Sequence, residues 1–149
     1  MHVTRFDHAA VTVSSTQAAL EFYVGVLGMR VVEAHDLPPE KISLVFGLPG
    51  ARGRSTRLAA GGDTVLFDVM EMTSDHGQAT PPSMGRVGTG HVAFEVEDLD
   101  GMLEQVRAAG GRPFSEPVRF DLNDGGAVVV CFLRDPDGNI VELSETVDS

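Results

Sequence analysis

Tryptophan is absent from this chain of 149 residues, tyrosine and cysteine occur once each, and aromatic residues make up only 6%. A single cysteine excludes a disulfide framework. Cys131 lies in the apolar run 128–133 with no basic neighbour in sequence, so it reads as a small buried hydrophobe rather than a catalytic thiol. Basic side chains are scarce, with 11 Lys and Arg against 22 Asp and Glu and a formal charge of −11. That balance argues against nucleic acid or an anionic membrane surface as a partner. The local exception is Arg52, Arg54 and Arg57, which could form a basic rim, although a solvated loop is the simpler reading. No apolar run approaches the roughly 20 residues that a membrane helix needs. Residues 1–7 carry no signal-peptide pattern. A cytoplasmic protein without a membrane partner is the expectation.

What is present is a repeat. Shifted by 83 positions, His8 falls on His91, Val13 on Val96, Leu20 on Leu103 and Gly28 on Gly111. Each copy reads as an alternating strand opened by a histidine, then an amphipathic helix, then a glycine stop. In the first copy, residues 3–13 alternate and Ser14 opens a helix with Gln17 as a capping-box partner. Leu20, Tyr23, Val24 and Leu27 form its apolar face, and Gly28 ends it. Residues 29–34, 54–59 and 64–72 are expected strands, the last two joined at Gly61-Gly62-Asp63. Residues 36–53 are punctuated by proline and glycine and carry no regular pattern. In the second copy, residues 91–96 form a strand and Asp98 caps a helix faced by Leu99, Met102, Leu103 and Val106. Residues 127–133 and 139–144 are the last strands, joined by Asp135-Pro136-Asp137-Gly138. The expected fold class is α+β, one domain of two tandem βαβββ modules at about 3–75 and about 90–146 with a linker at about 76–89.

Polar residues on the strands point to chemistry. Val92, Phe94 and Val96 share one face of their strand, which leaves His91, Ala93 and Glu95 on the other. Val141 and Leu143 turn inward, and Glu142 turns away. His8, His91 and Glu142 therefore lie opposite the helix-packing faces. Asp68 and Glu71 are both candidates for a fourth member and sit on opposite faces. With Val65, Phe67 and Val69 on the helix side, Asp68 faces the same way as the other three. Superposing residues 66–69 on 140–143 also matches Asp68 with Glu142, and Glu71 is kept as the alternative. Imidazole and carboxylate together suit a divalent ion of borderline softness. Two carboxylates then balance its charge instead of repelling one another. A satisfied structural histidine is the plainer reading of either imidazole alone.

The chain resembles the vicinal oxygen chelate superfamily, the group of glyoxalase I, bleomycin-resistance proteins and extradiol dioxygenases. The resemblance rests on Phe6-Asp7-His8, on Leu20-Glu21-Phe22-Tyr23 with Leu27-Gly28-Met29, on residues 90–96 and on residues 135–143. It spans nearly the whole chain. It implies paired βαβββ modules forming a U-shaped, partly open barrel-like cleft, a homodimer, and a small-molecule substrate. It also implies a divalent metal ion (Zn, Ni, Co, Fe or Mn) held by His8, Asp68, His91 and Glu142. This sequence departs from the pattern at Asp68, where glyoxalase I has Glu and methylmalonyl-CoA epimerases have Gln. It departs again at Thr12, where bacterial glyoxalase I commonly has an arginine that contacts glutathione.

Three activities compete. A metal-dependent lyase or isomerase of the glyoxalase or epimerase kind would stabilise an enediolate-type intermediate, with Glu142 as proton-shuttling base and Asp68 assisting. An Fe(II) ring-cleaving dioxygenase needs only His8, His91 and Glu142. Such enzymes usually add a cleft histidine and a tyrosine, whereas Tyr23 is expected to be buried and His35 and His76 to be surface residues in loops. A non-enzymatic drug-binding protein would want aromatic platforms, which this composition lacks, although Met70, Met72 and Met84 could line an apolar cleft. The histidine and carboxylate set favours the lyase or isomerase.

Overall fold

In the computed structural model, residues 2–61, 65–73, 82–123 and 125–147 are described. The chain divides into two compact units, Met1–Ala79 and Thr80–Ser149. Among the described residues no helix is long and apolar enough to cross a membrane.

The first unit is built from strand β1 (Ala9–Val13), helix α1 (Thr16–Tyr23), strand β2 (Arg30–Leu37), helix α2 (Pro39–Phe46) and strands β3 (Gly53–Ala60) and β4 (Val65–Met72). Its sheet runs β1-β4-β3-β2, with β1 and β4 parallel and the other pairs antiparallel. Burial along β1 alternates as the sequence pattern requires, with Val13 fully inside. Helix α1 lays Ala19, Phe22 and Tyr23 on the sheet, and the Tyr23 ring meets Phe67 at 4.9 Å. Burying a side chain such as Phe67 contributes roughly 1.5–3 kcal/mol, which ties helix to sheet.

The second unit repeats the plan with strand β5 (Val92–Glu95), helix α3 (Leu99–Ala108) and strands β6 (Val118–Asp121), β7 (Ala127–Arg134) and β8 (Ile140–Val147). Its sheet order is β5-β8-β7-β6, again with one parallel pair, β5 and β8. Leu99, Leu103 and Val106 form the buried face of α3, and Asp98 caps it by accepting from the Gly101 N–H at 2.9 Å. The turn between β7 and β8 is fastened by Asp135, whose Oδ1 accepts from the backbone N–H groups of Asp137 and Asn139 at 3.0 and 2.8 Å. Gly138 completes it at φ 89°, a conformation that disfavours any residue with a Cβ. Both sheets are open and mixed. The α+β class and the two βαβββ modules are those expected.

Details differ from expectation. Ser15, not Ser14, caps α1, accepting from the Ala18 N–H, and Gln17 bonds to Glu21 instead of closing a capping box. Residues 39–46 form α2, where no regular structure was expected. Pro39 at its first turn and Gly47 in the left-handed region beyond its end are helix boundaries as much as loop signals. Helix α2 buries none of its residues, although Ile42, Val45 and Phe46 fall at helical spacing. Strand β6 is exposed throughout, and its Val-Arg-Phe-Asp alternation spans only four residues. His35 lies in β2 rather than in a loop, though it is exposed as anticipated. His76 and the Gly62-Asp63 part of the expected turn fall outside the described residues.

Candidate functional site

The parallel pairs β1·β4 and β5·β8 place equivalent residues at equivalent points. Ala10 stands opposite Asp68 in the first unit, and Ala93 opposite Glu142 in the second. Each histidine lies two residues before its alanine, next to the start of the strand. The superposition of Asp68 on Glu142 read from the sequence is therefore also the register of the two sheets.

In the first unit His8 is flanked by two carboxylates. Its Nδ1 lies 2.9 Å from Asp7 Oδ2, and its Nε2 lies 3.8 Å from Asp68 Oδ2. The hydrogen bond to His8 and the charge of Arg5 hold the Asp7 carboxyl below its ordinary range. An ionised carboxylate can only accept, so Nδ1 carries the proton. With the proton on Nδ1, Nε2 is the nitrogen that faces Asp68, and this is the tautomer that a metal ion at Nε2 requires.

Asp68 is only 6% exposed. A buried carboxylate needs partners, and Arg57 on the neighbouring strand supplies them. Arg57 Nε donates to Oδ1 at 2.7 Å, and Nη2 donates to Oδ2 at 2.9 Å. The other side of the guanidinium reaches Glu33 Oε1 from Nη1 at 3.1 Å. These carboxylates, Asp68 foremost, push the Arg57 pKa further up.

In the second unit His91 Nε2 lies 3.0 Å from Glu142 Oε2. Phe132, cross-strand from Glu142, packs edge-on against the His91 ring with centroids 5.3 Å apart. Phe132 thus occupies the position that Arg57 holds in the first unit.

Glu71 has a different task. Its Oε2 accepts from the Thr16 N–H at 2.7 Å at the start of α1, and Glu145 accepts from the Leu99 N–H at 2.9 Å at the start of α3. The hydroxyl and backbone N–H of Thr16 beside it hold the Glu71 carboxyl below its usual value. Both glutamates satisfy helix donors that would otherwise be unpaired.

The donor chemistry fits a divalent ion. With bonds of about 2.1 Å to imidazole nitrogen and carboxylate oxygen, separations of 3.0 and 3.8 Å suit two donors that share one ion. The Arg57 fork leaves Asp68 Oδ2 with a second lone pair directed away from the guanidinium. The structure brings His8 together with Asp68, and His91 together with Glu142. Among the described residues no group of three or more His, Cys, Asp or Glu side chains stands close enough to hold a metal ion.

Three neighbours of these groups escaped sequence reasoning. Asp7 adjoins His8 in sequence, so its signal was available. Arg57 was grouped with Arg52 and Arg54, but Arg54 and Arg57 lie three apart on β3 and take opposite faces. Arg54 pairs with Asp36 at 3.5 Å, and no shared basic rim forms from the two. Phe132 read only as part of an apolar strand.

The family model described as the Glyoxalase/Bleomycin resistance protein/Dioxygenase superfamily matches residues 5–143. A protein of Arabidopsis thaliana named lactoylglutathione lyase is 34% identical over 93% of this chain, which spans only 43% of that relative. The lactoylglutathione lyase of Salmonella typhimurium is 31% identical, with 97% of this chain and 95% of that protein covered. Among solved structures, a glyoxalase family protein from Bacillus cereus superposes with a TM-score of 0.86 at 19% identity, over 99% of this chain and 97% of the other, a likeness of fold.

Proposed function

Since the chain belongs to the glyoxalase, bleomycin resistance protein and dioxygenase superfamily, we propose that it is a metal-dependent lyase or isomerase acting on a small molecule with vicinal oxygens. His8, Asp68, His91 and Glu142 are its ligands for a divalent ion, Zn, Ni, Co, Fe or Mn. When bound, the ion supplies Lewis acidity to the two substrate oxygens. Glu142 is the base. It removes a proton from the hydroxyl-bearing carbon and returns one to the adjacent carbonyl carbon while the hydroxyl proton passes to the former carbonyl oxygen, an isomerisation that conserves every atom. To do so its carboxylate must come within about 2.6–3.2 Å of that proton's carbon or of a bridging water. Asp68, tied to Arg57, is the fixed anion of the pair and holds the ion. His91, braced by Phe132, keeps Glu142 oriented.

The observation that carries this reading is the matching of a histidine–carboxylate pair in each module, His8 with Asp68 and His91 with Glu142. The working form is a homodimer, as the family resemblance implies. A full-length preparation loaded in turn with each metal should be assayed on 2-oxoaldehydes with and without glutathione, beside Glu142→Gln. Metal-dependent isomerisation is expected, slower in Glu142→Gln by roughly 10²–10⁴-fold. Oxygen uptake on catechols without isomerisation would replace this reading with the dioxygenase one.

A further inference from the structure

Arg57 and Phe132 occupy equivalent cross-strand positions, opposite Asp68 and Glu142 respectively. The two modules differ most at this point. Phe132 packs on the histidine of its unit, whereas Arg57 grips the carboxylate of its own. Aspartate is one methylene shorter than glutamate and stands 3.8 Å from its histidine, against 3.0 Å for Glu142. We propose that Arg57 is a positioning residue which fixes the plane of the Asp68 carboxylate, so that Oδ2 is held toward His8 Nε2 and a short side chain serves as a metal ligand. The inference rests on the four-ligand reading above.

The geometry supports it in two ways. A carboxylate held by both Nε and Nη2 cannot turn about its Cβ–Cγ bond without breaking both bonds. Glu33 in turn holds the Nη1 side of the guanidinium, so the fork is fixed from both edges. Lysine keeps the charge but cannot reproduce the fork. A residue needed only to neutralise buried Asp68 would be replaced by lysine without loss of metal binding, which separates the two roles.

The test is Zn²⁺ affinity of the full chain by chelator competition, with thermal midpoints recorded alongside. Wild type, Arg57→Lys, Arg57→Met, Asp68→Ala and the double variant Arg57→Lys/Asp68→Ala are compared. Loss of a partner that orients a ligand typically weakens metal affinity 10–100-fold. Arg57→Lys is expected to bind about tenfold more weakly, and to have no further effect once Asp68 is alanine. If Arg57→Met does not fold, Arg57→Lys, which leaves the buried carboxylate a cation, decides alone. Wild-type affinity in Arg57→Lys, with weakened binding in Asp68→Ala, overturns the inference and leaves the ligand set intact. Wild-type affinity in Asp68→Ala, or no binding by the wild type, overturns both.

Discussion

Burial decides what the one cysteine can do. Cys131 is 1% exposed, its Sγ lies 3.4 Å from the Ser115 carbonyl oxygen, and burial pushes its thiol pKa up. The thiolate is the nucleophile, so a buried, protonated thiol is inert. A chromogenic disulfide reagent is expected to leave the native protein unmodified and to titrate one thiol per chain in denaturant. Rapid reaction in native buffer would contradict that placement. Burial of Cys131 was readable because its neighbours in sequence are its neighbours in the strand, and Tyr23 was readable on a helix face in the same way. The fork on Asp68 was not. Arg57 meets Asp68 only through antiparallel register, and no local period links residues that pair across a turn. Asp68 was singled out by its face of the strand, and that argument says nothing of what binds it there.

Elements that bury one face announce themselves most fully, although β2 was foreseen with no residue buried. Helix α3 was foreseen from its cap to its apolar stripe because Asp98, Leu99, Leu103 and Val106 obey a helical period. Helix α2 and strand β6 have no buried residues. The glutamates that close α1 and α3 are equally nonlocal, since each comes from the last strand of its module. Their effect is measurable at Glu71. Its folded pKa is held below the ordinary 4.5, so its contribution is complete above that value and is lost as pH falls through the folded pKa. Glu71→Gln is expected to cost roughly 0.3–1 kcal/mol near pH 7, the scale of a charge at a helix N-terminus. The deficit should shrink as pH falls below the ordinary 4.5 and through the lower folded pKa. Thermal midpoints of the two proteins measured from pH 7 to pH 3 should converge; parallel curves would contradict the role.

The duplication is the property of the chain that most of its chemistry follows from. Each module delivers one imidazole and one carboxylate, so the same donor types arise twice from one plan of strand, helix and strands. The modules have since diverged where it matters for chemistry, with Asp68 and Arg57 in one against Glu142 and Phe132 in the other. A net charge of −11 also leaves the surface ill suited to polyanions, in keeping with a small-molecule substrate. Elemental analysis of the purified full chain, prepared without added metal beside His8→Ala and Glu142→Ala, joins the two modules in one number. On the proposed ligand set, about one Zn, Ni, Co, Fe or Mn per chain is expected in the wild type, with loss in both variants because each removes a proposed ligand. A full complement of metal in either variant, or none in the wild type after incubation with each ion, would contradict the proposed ligand set.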